Sequence, residues 1–333
     1  MTAPDATRSS RFPLRWVLRL VATAAALALI AWWLPVDQLM SAIRQVPPAT
    51  WPLGLAAYLG AHLLGVMKWR LLVNTAGAGL PARQAVQAYY WGLFGNLFLP
   101  SIVGGDVVRA GVAMRHARSK SALVLGSLVD RVQDVIGLGA LAGVGALLAP
   151  RALDDTSRRI FIGFLVIMGA GAFAGLLTLR FFPARHVPFK VRRLLVRIRQ
   201  AVRATAARPS ALVTAFTLGL GLQSALILIN WELGRLIGID IPLHVWFFVW
   251  PLAKLAGLTP LTQGGIGVRE AAQAALFAPF GVPAVQAVAT GLVFEVVIIS
   301  GGLLSGAIAV LVRRDPAEQP AGATTRGSVA GPA

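Results

Sequence analysis

Six stretches of this chain are long and apolar enough to cross a hydrocarbon layer, which takes roughly 20 such residues. They lie at about 14–34, 50–67, 121–149, 160–182, 210–236 and 284–312. A soluble core needs no such excess: of 333 residues 56% are apolar and 13% charged, against about a quarter charged in an ordinary soluble domain. The expected fold is an all-α polytopic membrane protein of six full spans, with residues 14–312 as one transmembrane domain. The first stretch follows Arg8, Arg11 and Arg15, as a secretory signal would. It ends in Trp32, Trp33 and Leu34 rather than a small-residue cleavage site, so it reads as a retained helix.

The formal charge of +18 sits between the apolar stretches rather than on a domain with stacking aromatics, which argues against nucleic acid as a partner. It sets topology instead. With the N-terminus inside, the inner segments hold 21 Lys and Arg: three before the first span, three in 68–83, four in 109–120, eight in 183–208 and three after 312. The outer segments 35–49 and 150–159 hold four between them, and 237–242 holds none. Positive residues mark the inner side, so both termini (1–13 and 313–333) are expected in the cytoplasm. The segment 183–208 carries apolar residues at roughly helical spacing. It is either an amphipathic helix on the inner membrane surface or a solvated topology determinant. The tail beyond Arg314 is rich in Pro, Ala, Gly and Thr and is expected to be disordered.

Two stretches break this pattern of spans and loops. One runs from about Gln84 to Pro100, Gly104, Gly105 and Asp106; the other runs from about Leu243 through Lys254 to Pro260, Gly264, Gly265, Arg269 and Glu270. Each is long enough to enter the bilayer and is interrupted by Pro and Gly-Gly. Basic residues flank both ends of the first, so it enters and leaves on the same side as a re-entrant hairpin. The two align without a gap: Pro100, Gly104, Gly105, Val108 and Arg109 match Pro260, Gly264, Gly265, Val268 and Arg269. One residue further out of step, Val132, Asp134 and Val135 match Val293, Glu295 and Val296. The chain thus reads as two repeat halves, about 50–182 and 210–312, with an odd number of spans between the hairpins. Repeats so placed are inverted, the arrangement with which secondary transporters build a midplane site.

Backbone groups freed at such breaks must face protein or a watery cavity. A helix starting just after Gly104-Gly105 or Gly264-Gly265 would favour an anion at its N-terminus. Arg109 and Arg269 follow one turn later, where each guanidinium either grips a phosphate by two bonds or pairs with Asp106 or Glu270 beside it. Lys254 lies inside an apolar run, where an unpaired charge costs several kcal/mol; it either serves a function or pairs with Glu270 or Glu295. Asp130 and Asp134 share a face of the span beginning near Ser121, with Arg131 between them. They either pair with Arg109 or Arg131 or carry a coupling proton. Asn96, Asn230 and Glu232 add polar groups at membrane depth. The candidate substrate-binding set is therefore Arg109, Arg269, Lys254, Gly104, Gly105, Gly264, Gly265 and Asn96. The coupling or pairing set is Asp106, Asp130, Arg131, Asp134, Glu270 and Glu295. Gly-x3-Gly spacing, as at Gly139 and Gly143, Gly171 and Gly175, or Gly302 and Gly306, suits packing within the monomer, and a homo-oligomer is its second use.

Cysteine is absent, which excludes disulfides, thiol catalysis and Cys-ligated metal. There is no phosphate-binding loop, no dinucleotide fingerprint and no His-Glu-x2-His; His62, His116, His186 and His244 are scattered. No metal and no cofactor are expected, and no catalytic motif marks an enzyme. Transport or lipid handling is favoured by elimination.

The residues Leu99-Pro100-Ser101, Gly104-Gly105-Asp106 and Arg109, then Asp130-Arg131 and Asp134, then Pro260-Leu261-Thr262, Gly264 to Gly267 and Arg269-Glu270 carry a resemblance. From about 14 to 312 the chain resembles the flippase-like transmembrane domain of bacterial lysylphosphatidylglycerol synthases and their stand-alone relatives. The resemblance implies translocation, in the inner membrane, of an anionic or polar-headed lipid: a phospholipid, an aminoacylated phospholipid or a polyprenyl-phosphate-linked lipid. With the chain ending at 333, a stand-alone member without the synthase domain is expected. Relatives of that length imply, as partner, a separately encoded glycosyltransferase or lipid-modifying enzyme. The rival expectation is a membrane enzyme, or enzyme subunit, of lipid-linked glycan or hopanoid modification.

Overall fold

The computed structural model describes residues 36–99, 102–148, 207–258 and 262–313, with a few isolated positions besides. Among these residues the fold is helical throughout: α1 (Val36–Arg44), α2 (Thr50–Thr75), α3 (Ala82–Phe98), α4 (Ile102–Ala113), α5 (Lys120–Leu148), α6 (Pro209–Leu236), α7 (Leu243–Ala256), α8 (Val268–Phe277) and α9 (Ala284–Arg313). Four of them, α2, α5, α6 and α9, are long and apolar enough to cross a membrane, and they fall on four of the six expected spans. The expected spans 14–34 and 160–182, the basic segment 183–208 and the tail lie outside the described residues. Leu128, Val132 and Ile136 form an exposed apolar stripe along α5, as a lipid-facing surface requires. Asp130 on the same helix is buried.

The second span is longer than its apolar run. The run stops at Met67 because Lys68 is charged, yet α2 continues to Thr75 with Trp69, Leu72 and Val73 fully buried. It closes at Gly77, whose φ of 99° lets the Ala78 N–H reach back to the Val73 carbonyl. Lys68 therefore belongs to a membrane helix, not to the inner loop 68–83 where the charge pattern puts it.

Both interrupted stretches form helical hairpins, α3 with α4 and α7 with α8. Their breaks differ in kind. Leu99 takes an extended conformation (φ −96°, ψ 138°) before Pro100, as steric conflict with a proline ring dictates. In the second hairpin Gly264, Gly265 and Gly267 all adopt positive φ, and a short 3-10 turn over Gln263–Gly265 leads into α8. The expected helix start just after Gly104-Gly105 is thus corrected: α4 begins at Ile102, and both glycines lie inside it. They are there for closeness. A Cβ on Gly105 would strike the Asn96 side chain and the Gly92 carbonyl, and one on Gly104 would strike Leu99.

The two halves share an order of elements, a long helix, a hairpin and a second long helix, and the hairpins pack crosswise. The first arm α3 lies on α9, where Gly302 and Gly306 receive Leu97 and Phe94. The first arm α7 lies on α5, where Gly145 meets the backbone of His244 and Phe248. Between them α2 packs on α6. Small residues at these crossings let backbones approach closely, the main source of cohesion between helices in lipid. Glu232 is about half exposed and pairs with Arg235 near the end of α6. Asn230 is fully buried.

Candidate functional site

A cavity of about 450 Å³ lies where the hairpins meet the long helices. Its polar floor is built from two ion-pair clusters, one contributed by each half.

In the first cluster, Asp130 on α5 is held between two cations. Its Oδ2 lies 3.1 Å from Arg109 Nη2 on α4, and its Oδ1 lies 3.1 Å from Lys68 Nζ on α2. Lys68 also donates to the Asp130 carbonyl at 3.1 Å and to Asp134, so all three ammonium protons have acceptors. Arg109 Nη2 is 3.0 Å from Asp106 Oδ1, and Asp106 and Asp134 both pair with Arg131. The Arg109 guanidinium stacks over Trp69, 4.7 Å from the ring centroid, and near Tyr89.

The second cluster is smaller. Arg269 on α8 donates to Glu270 from Nε (3.0 Å) and Nη2 (2.6 Å) and reaches Glu295 on α9. It lies over Trp250, 5.6 Å from the ring centroid. Glu270 is wholly buried, and its other oxygen accepts from the Gly267 N–H at 2.6 Å. A helix N-terminus attracts an anion, and at α8 the chain supplies its own. In the first hairpin the Gly105 N–H is likewise taken, at 2.9 Å, by Asn96 Oδ1. The freed N–H groups that the Gly-Gly breaks lead one to expect for a ligand are thus bonded internally at these two positions.

Each expected site residue can now be placed. Arg109, Arg269, Lys254, Asn96 and Gly264 line the cavity, as do Asp130, Arg131, Asp134 and Glu295. Asp106 and Glu270 stand behind, bonded to Arg109 and Arg269. Gly104, Gly105 and Gly265 serve the close approach of hairpin arms. The two arginines have the same device, an acid on their own helix and an acid on the following long helix, but the register differs. Sequence alignment pairs Asp134 with Glu295, whereas the acid that meets Arg109 as Glu295 meets Arg269 is Asp130, one turn earlier.

Lys254 is different from the other four cations. It donates to Gln223 Oε1 at 2.8 Å and forms no salt bridge with Glu270, Glu295 or any other described acid. Three lining residues carry no spacing signal in the sequence: Lys68, Gln223 and His62. Above this floor the cavity wall turns apolar. Phe98 on α3 and Ile299 and Leu303 on α9 line it and are substantially exposed.

No curated protein matches the chain. The family described as the lysylphosphatidylglycerol synthase TM region matches it over residues 16–306, nearly the whole of the membrane region. With its membrane-length helices and its paired broken hairpins, this multi-pass membrane protein belongs to the lysylphosphatidylglycerol synthase transmembrane-region family.

Proposed function

We propose that this chain moves a lipid with an anionic or polar head group between the leaflets of a bacterial inner membrane, with both termini in the cytoplasm. The observation that carries the reading is the two-sided cavity. Five cations and three acids line its floor, two further acids stand behind them, and its wall carries exposed apolar residues at Phe98, Ile299 and Leu303. A head group travels over the polar floor while its acyl chains stay in lipid along that wall. A soluble ion would need no apolar opening, and a mere anchor would need no charged floor, whose burial costs several kcal/mol per unpaired ion.

The crosswise packing of the hairpins supports an inverted repeat, in which each half in turn opens the cavity to one side. The family supports a lipid as cargo. A separately encoded lipid-modifying enzyme or glycosyltransferase would supply or consume that lipid. Reconstitution in liposomes, with leaflet-selective reporters of phosphatidylglycerol, an aminoacylated phosphatidylglycerol and a polyprenyl-phosphate lipid, tests the proposal. Movement of at least one, faster than in protein-free vesicles, is expected. No movement of any of them sinks it, and turnover of a lipid-linked sugar by the purified chain would put an enzyme in its place.

A further inference from the structure

We propose that the turn between α2 and α3 holds an anionic phospholipid outside the cavity, its phosphate gripped by Arg70 and Arg118 and its chains lying on the exposed side of α2. The turn itself is firmly built. Ala78 and Leu80 bury their side chains in the core, and Gly77 and Gly79 take positive φ. Asn74 closes the turn, donating to the Leu80 carbonyl at 3.0 Å and accepting from the Leu80 N–H at 2.6 Å.

Two guanidinium groups are fastened to this one turn. Arg70 donates from Nε to the Leu80 carbonyl at 3.3 Å. That bond fixes the plane of the group and leaves the edge formed by its two terminal nitrogens to give; neither nitrogen is enclosed by protein. The Arg118 N–H donates to the Ala78 carbonyl at 2.8 Å, and the Arg118 side chain lies across Gly79, where a Cβ would come within 2.8 Å of Cδ. No carboxylate among the described residues pairs with either arginine. Like charges tethered to successive residues repel, and an anion between them reverses the sign of that interaction. A phosphate accepts two parallel bonds from one guanidinium and a further bond from another.

The apolar surface beside the turn makes the phosphate that of a lipid. Leu63 and Met67 on α2 are 45% and 56% exposed. Arg70 follows Leu63 by seven residues and Met67 by three, which puts all three on one side of the helix. The lipid-facing stripe thus ends at an arginine, with the chains of a phospholipid on the stripe and its phosphate at the guanidinium. A free phosphate would use the arginines and leave the stripe uncovered. Neither arginine lines the central cavity. Since α3 begins at Ala82, just past the turn, a lipid held here clamps the base of the first hairpin.

The test places the full chain in nanodiscs doped with photoactivatable phosphatidylglycerol, phosphatidylcholine or diacylglycerol, all bearing the same diazirine chain, and maps the label by mass spectrometry. Phosphatidylglycerol should label Leu63, Met67 and the 76–80 turn most, phosphatidylcholine less because choline cancels its charge, and diacylglycerol least. Arg70→Gln and Arg118→Gln should each lower that labelling about fivefold. Arg118→Gln removes no bond that holds the turn, since the backbone makes the contact with Ala78, so it should melt as the parent does. Arg70→Lys keeps the charge without the fork and should label above Arg70→Gln but below the parent. Arg44→Gln, at an exposed arginine on α1, is the control and should label as the parent. Inorganic phosphate at constant ionic strength should not displace the lipid. Equal labelling by the three probes, parent-like labelling in Arg118→Gln or Arg70→Lys, or displacement by phosphate would each overturn the assignment, the last by making this a free-anion site. Liposome transport by the parent chain is read separately. Transport with labelling indifferent to the arginines defeats this site and spares the transport reading; arginine-dependent labelling without transport does the reverse.

Discussion

Lys68 Nζ stands 3.1 Å from Asp130 Oδ1 across the contact of α2 with α5, both side chains almost wholly out of solvent. With Arg109, Arg131, Asp106 and Asp134 they form a cluster of three cations and three acids. Removing one member of such a buried cluster strands its partner's charge. Lys68→Met leaves one carboxylate in excess and should lower stability by about 3 kcal/mol, the usual loss when a buried pair is broken. Lys68→Met combined with Asp134→Leu balances the cluster again and should recover most of that loss. Equilibrium unfolding in mixed detergent micelles measures both. Simple additivity of the two changes would show that the cluster is not a unit.

The two arginines should not be equally costly to remove. Arg109→Ala leaves Asp130 with Lys68 and Asp106 with Arg131. Arg269→Ala leaves Glu270 and Glu295 without any cation partner among the described residues. The second change should cost about 3–5 kcal/mol, and the first about half as much. The same unfolding titrations decide it, and equal losses would mean that the Lys68 and Arg131 contacts do not compensate.

Gly105→Ala should spread the first hairpin, because the added methyl meets the Asn96 side chain and the Gly92 carbonyl. Gly111→Ala, on the same helix with nothing within 4 Å, is the control and should be neutral or slightly stabilising. The expected outcome is a lower melting temperature and slower lipid transfer for Gly105→Ala alone. Parent-like behaviour at Gly105 would show that the arms are not in tight contact.

Four of the membrane-length helices and both hairpins were legible in the sequence, because long apolar runs and Pro or Gly-Gly breaks are local signals. The partners of the charges were not. An apolar run is cut at its first charge, which puts Lys68 in a loop by sequence although Trp69, Leu72 and Val73 carry the helix on and bury it. Alignment of the halves fixes positions along the chain but not the rotation of one helix against another. This is why the alignment pairs Asp134 with Glu295 while Asp130 meets Arg109. His62 and Gln223 are single polar residues in apolar helices. Only the folding of α2, α3 and α6 around one cavity distinguishes them from ordinary satisfied core residues. By sequence the Gly-Gly pairs read as anion cradles. Asn96 and Glu270, present in the sequence but not assignable as caps, occupy that role.

The apolar wall yields the remaining prediction. If acyl chains leave the cavity past α9, the passage is bounded by Ile299 and Leu303, which are 40% and 52% exposed and both line the cavity. Neither touches the ion-pair clusters, so enlarging them should leave the floor intact. Leu303→Trp should slow lipid transfer in liposomes by about tenfold, the effect of ~1.4 kcal/mol on the barrier. Its melting temperature should stay that of the parent. Leu304→Trp, one position on and also exposed at 43% but absent from the cavity lining, is the control and should transport normally. Equal transport by both variants would mean that the chains travel elsewhere. Equal slowing by both would point to a general disturbance of α9 in the bilayer.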